Sequence, residues 1–104
     1  STTVSDNLTW VGTAEVAPRP GNELLGGASG AYVPVVGIAG SRLAFEAGIR
    51  LAMGALDFEL IDVEDVRLLL VSAEVGHLDE ALAQRLHLLG PDNPIELGSF
   101  HAFA

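Results

Sequence analysis

Across residues 31–56, AYVPVVGIAGSRLAFEAGIRLAMGAL, the apolar pattern changes period at Gly40 and Ser41. Residues 31–38 form a nearly continuous apolar run of strand length, and from there Phe45, Ile49, Met53 and Leu56 recur at helical spacing. A chain that passes from strand to helix within two or three residues has to fold the helix back over the sheet, because each element has an apolar side to bury. Ser41 suits the N-cap, where its hydroxyl accepts from a first-turn N–H, and the spacing predicts a helix over residues 42–56. That helix has a second apolar side. Leu43, Ala47 and Leu51 occupy much of the surface away from the stripe, leaving Arg42, Glu46 and Arg50 as its polar strip. A helix apolar on two sides is expected to be covered on two sides, which points to a homo-oligomer, most simply a homodimer.

The same turn invites a phosphate-binding reading, and its residues argue against it. A P-loop needs a lysine after its glycines, and this chain has no lysine. A dinucleotide fingerprint needs three glycines in Gly-x-Gly-x-x-Gly order, but here Val35 stands two residues before Gly37 and only Gly40 follows. The turn reads as a change of direction ending in a Ser cap.

Upstream, residues 8–17 alternate, with Leu8, Trp10, Ala14 and Val16 on one side and Thr9, Thr13 and Glu15 on the other, the period of a half-buried strand. Residues 18–30, PRPGNELLGGASG, are too rich in proline and glycine for regular structure and form a long loop. Pro34 lacks a ladder donor, so the strand that follows is expected at a sheet edge or a bulge. In residues 57–71 the alternation slips between Leu60 and Ile61. A β-bulge there puts Ile61 and Val63 inward and aligns Asp57, Glu59, Asp62 and Glu64 as an outward acidic ridge. A second slip near Asp65 lets Val66, Leu68 and Leu70 resume inward, giving one long bent strand or two short ones. A second helix is expected over residues 78–89, with Leu78, Leu82, Leu86 and Leu89 as its stripe and Gly90-Pro91 as its stop. Residues 95–104 read as a closing strand.

These elements suggest a single α+β domain over residues 1–104: a mainly antiparallel sheet of four to five strands with two helices packed on one face, a sandwich that resembles the ferredoxin-like type. The charge balance narrows the partners. Fourteen acidic residues face five arginines, a net charge of −9, which disfavours nucleic acid and anionic membranes and favours a basic protein. No apolar run approaches the ~18 residues a membrane helix needs, and the first ten residues lack a signal-peptide pattern. Without cysteine there is no thiolate nucleophile and no finger-type zinc site, and a cytoplasmic location fits.

No catalytic residues, cofactor or metal are assigned. Carboxylates two apart on a strand could share a divalent cation, but the calcium-loop spacing and its glycine are missing. Neither Gly27-Ala28-Ser29-Gly30 nor Gly98-Ser99-Phe100 has a nucleophile-elbow frame. No two of His77, His87 and His101 share the i, i+4 spacing of a helical metal pair. Arg85 falls within the leucine stripe, where it either pairs with Glu15 or Glu96 or lays its stem along the core edge. Leu24 and Leu25, in the glycine-rich loop, either fold back as a plug or insert into a partner. The leading expectation is a noncatalytic, acidic protein-binding module, of immunity, inhibitor, assembly or adaptor type, using Asp57, Glu59, Asp62, Glu64, Leu24 and Leu25. The rival is a small enzyme or small-molecule binder with a pocket between the sheet and the 18–30 loop, lined by Tyr32, Arg85 and His101.

Overall fold

A computed structural model describes residues 8–69 and 80–103. Among them are strands β1 (Leu8–Pro18) and β2 (Gly30–Ala39), helix α1 (Arg42–Ala55), and strands β3 (Phe58–Leu68), β4 (Ile95–Leu97) and β5 (His101–Phe103). The sheet is antiparallel throughout and five-stranded, in the order β3-β1-β2-β4, with β5 pairing β2 beside β4. The β2–α1–β3 crossover carries the chain over β1, so α1 lies across one sheet face.

Strand parity decides what each face does. On the α1 side, Ala14, Val16, Ala31, Val33, Val35 and Phe58 pack with Phe45, Ile49 and Met53 of α1, all buried. Each large side chain so buried contributes about 1.5–3 kcal/mol. The Ser41 side chain accepts from the Ala44 amide at 3.1 Å, as its cap position predicts. Trp10 stacks on Phe45 with ring centroids 6.3 Å apart, and its Nε1 donates to the Ala39 carbonyl at 3.0 Å.

β3 is one long strand bent at two register shifts, at the two positions where the alternation slips. At the first, Leu60 pairs with Val16 and Asp62 with Glu15, which leaves Ile61 as the extra residue. The inward placement expected for Ile61 is therefore corrected: it is 51% exposed, and Leu60 and Val63 take the core side. At the second, Asp65 adopts φ 56°, a left-handed conformation that aspartate tolerates better than most residues. Val66 returns to the core, while Leu70 lies outside the described residues.

The second helix differs most from expectation. Among the described residues, Glu80–Ala83 is α-helical and Leu86–Leu88 forms a 3-10 turn, so the regular helix expected to run to residue 89 ends at Ala83. Gly76, His77, Leu78 and Asp79 lie outside the described residues. The leucine stripe nevertheless acts as one: Leu82, with Leu86 and Leu89, packs on Val11 and Val36. Those two residues have the opposite parity to the α1-facing set, so this segment covers the far face and the two-helices-on-one-face arrangement is corrected.

The closing segment is two short strands rather than one. β4 pairs residues 35–37 and β5 pairs residues 30–32. Pro34 sits between them, in an interior strand and not at the sheet edge. In an antiparallel strand a residue's N and C=O point to the same neighbour. The Pro34 carbonyl accepts from the Gly98 amide at 2.7 Å, so its missing N–H faces the break between β4 and β5, where no ladder partner needs it.

Candidate functional site

The far face of the sheet is divided along its length. One end is covered by Leu82, Leu86 and Leu89; the other carries a row of polar side chains that crosses the strands. Asp62 of β3 pairs with Glu15 of β1, Glu15 with Tyr32 of β2, and Tyr32 with His101 of β5. At about 4.8 Å per strand, these four residues form a continuous line over the sheet. Glu64 and Glu59 flank it, opposite Thr13 and Ala17. One carboxylate oxygen from each of Glu15, Asp62 and Glu64 lies within 4.8 Å of the other two. None of the three ion pairs among the described residues, Arg19–Asp57, Arg42–Glu46 and Arg85–Glu96, involves them.

The bulge makes this grouping possible. Glu59 and Asp62 are three apart in sequence and share a face only because Ile61 is extruded between them. Asp57 does not belong to the ridge: it sits in the turn between α1 and β3 at φ 66°, 4.0 Å from Arg19. Glu15 is the residue that sequence reasoning left out of the site. Its parity in β1 marks it as outward, but its approach to Asp62 depends on β1 and β3 being sheet neighbours, which local spacing does not encode.

The loop over residues 19–29 is pinned at both ends. Asn22 donates from Nδ2 to the carbonyls of Leu56 (3.1 Å) and Asp57 (2.7 Å), and the Ser29 amide donates to the Phe103 carbonyl at 3.1 Å. Between these anchors the two leucines separate: Leu25 packs against the core, and Leu24 is 71% exposed. Beneath them, Leu24, Leu25, Leu56, Phe58 and Phe100 line a cavity of about 320 Å³, within the usual range for small-molecule pockets. Phe58 and Phe100 meet there with centroids 5.3 Å apart.

Tyr32, Arg85 and His101 are not brought together in that pocket. Tyr32 and His101 lie in the acidic row, with the Tyr32 ring tilted against Phe103 at 5.1 Å. Arg85 pairs with Glu96 at 3.0 Å and lines an adjoining groove, with Ala52, that meets the cavity at Leu56 and Phe100. His87 is exposed in the 3-10 turn, and His77 lies outside the described residues.

Glu96 is the titrating group most clearly shaped by its surroundings. Its side chain is 13% exposed, and its pKa is lowered first by the hydrogen bond from Asn93 Nδ2 (2.6 Å) and then by Arg85, against an opposing contribution from desolvation. A carboxyl whose pKa is lower in the folded than in the unfolded chain stabilises the fold above the unfolded value, and that contribution is lost as pH falls through the folded one. The melting-temperature difference between the parent protein and Glu96→Gln is therefore expected to be constant near neutrality and to shrink below about pH 4.3. A difference that does not change down to pH 2.5, measured by circular dichroism melts, would contradict this assignment.

Comparison with known protein families, curated proteins and solved structures returned no match. No helix among the described residues is long and apolar enough to cross a membrane.

Proposed function

We propose that this chain is a noncatalytic protein-binding module that presents the row Asp62–Glu15–Tyr32–His101, with Glu59 and Glu64, to a basic protein, in the manner of an inhibitor, immunity, assembly or adaptor protein. The observation that carries the reading is the packing of Glu15, Asp62 and Glu64 within 4.8 Å, beside an exposed tyrosine. Three like charges this close repel one another, and a guanidinium or ammonium group from another protein offsets that repulsion. Tyr32 adds a flat ring on which an arginine can stack, and tyrosine is among the residues that dominate binding at protein interfaces.

The test is affinity capture from a native lysate at low salt with the parent protein and with Glu15→Gln/Asp62→Asn/Glu64→Gln, adding Tyr32→Ala as a separate variant. A basic protein retained by the parent, released by high salt and lost by both variants supports the reading. Equal retention by the neutralised variant sinks it, as does loss of the partner on adding a chelator, which would identify a bound cation as the ligand.

A second reading, a small-molecule binder, is favoured by the apolar cavity under Leu24 and Leu25. Saturable binding of a neutral polarity-sensitive dye that Leu25→Glu abolishes, and that the acidic-face variants leave unchanged, separates it from the first.

A further inference from the structure

Helix α1 covers the core with one side, and among the described residues nothing packs over the other. Leu43 and Leu51 are 79% and 77% exposed, and with Ala47, also exposed, they form an i, i+4, i+8 stripe pointing away from the sheet. We propose that this stripe is the interface of a homodimer in which two copies of α1 pack antiparallel about a twofold axis at Ala47.

The occupant follows from charge and symmetry. A molecule with a net charge of −9 repels its own copies across most of its surface. The acidic row lies on the opposite sheet face, and α1 holds a single carboxylate, Glu46, beside Arg42 and Arg50. Among the described residues, this helix is thus the face on which two acidic copies approach at least cost. The stripe is also self-complementary. With the axis at Ala47, Leu43 of one copy meets Leu51 of the other, and Ala47 lets the backbones come close. Arg50 and Glu46 lie on the same flank of the stripe, and the twofold brings that flank of both copies to one side. Arg50 of one copy and Glu46 of the other then differ in height by about 3 Å, two residues at the helical rise. Arg50 is in none of the ion pairs among the described residues, so it is available for this contact, which forms twice. Such a dimer turns both acidic faces outward. That consequence rests on the proposed function; the dimer itself does not.

Because the chain has no cysteine, the axis can be tested directly. Sedimentation equilibrium of the parent protein is expected to give twice the chain mass, and Leu43→Glu/Leu51→Glu to give the single-chain mass with an unchanged circular dichroism spectrum. Under mild oxidation Ala47→Cys is expected to cross-link to itself, since residues facing each other on the axis of a close helix pair come within disulfide reach. Leu43→Cys alone stays reduced, its two copies being about 12 Å apart along the axis, whereas mixing Leu43→Cys with Leu51→Cys gives the cross-linked heterodimer. A parent protein of single-chain mass at high concentration, a dimer that survives the double glutamate variant, or equal self-cross-linking at positions 43 and 47 would each overturn the proposal. None of these outcomes depends on capture of a basic partner, so the two readings fail separately.

Discussion

Phe45→Ala is expected to lower the free energy of unfolding by about 3–5 kcal/mol, read from urea or thermal melts. The ring is fully buried and stacks on Trp10. It lies over the sheet where β1 and β2 carry Gly12 and Gly37, and a Cβ at those positions would stand 3.6 and 3.0 Å from its edge carbons. The glycines clear a flat floor, the ring fills it, and α1 is held against two strands at once. Removing the ring opens a cavity between rigid backbone segments that cannot collapse, which places the cost high in the range for such substitutions. Against a typical total of about 5–15 kcal/mol, the loss removes between about a fifth of the stability and all of it. A variant within 1 kcal/mol of the parent would mean that Ile49 and Met53 alone dock the helix.

The elements legible in the sequence are those whose cause is local. Ser41 and the Phe45–Ile49–Met53 spacing specify α1 because cap and stripe both lie within the helix. The two slips in β3 show as breaks in alternation because a bulge is a one-residue event. What the sequence hides is decided between elements. The leucine stripe of residues 82–89 identifies a packed segment but not which sheet face it packs on; that depends on Val11 and Val36 pointing away from α1. Likewise the acidic row needs β3, β1, β2 and β5 side by side, a pairing that joins residues 62, 15, 32 and 101 across nearly the whole chain. Side-chain chemistry alone groups Tyr32 and His101 with Arg85, and the register instead sets them beside the carboxylates.

That division also explains how so acidic a chain folds. Among the described residues, Glu46 is the one carboxylate on α1 and the others lie on the far face, at the β3 bulge, in loops and turns or in the Glu80–Ala83 turn, while the α1 side of the sheet is filled with valine, alanine and phenylalanine. Folding therefore buries little charge, and Glu96, the carboxylate most enclosed by charged and polar partners, is held by both Asn93 and Arg85.

Gly37→Ala is expected to destabilise the protein by about 1–3 kcal/mol, the usual cost of forcing a methyl group into a filled core, and it settles what the glycine inside β2, just ahead of the strand-to-helix turn, is for. A Cβ at residue 37 would lie 2.6 Å from Ile95 Cδ1, 2.7 Å from the Pro94 carbonyl oxygen and 3.0 Å from Phe45 Cε1. The isoleucine tip can swing aside. The Pro94 carbonyl cannot without straining the 2.9 Å hydrogen bond it accepts from Ile38, which helps hold β4 to the sheet. Gly54→Ala, in the last turn of α1, meets nothing closer than Arg19 at 3.9 Å and is expected to stabilise by about 0.4–1 kcal/mol through lost unfolded-state freedom. Opposite signs at the two positions in paired thermal melts identify Gly37 as a packing residue that admits β4 and the Phe45 ring. A neutral Gly37→Ala would remove the steric reason for glycine there.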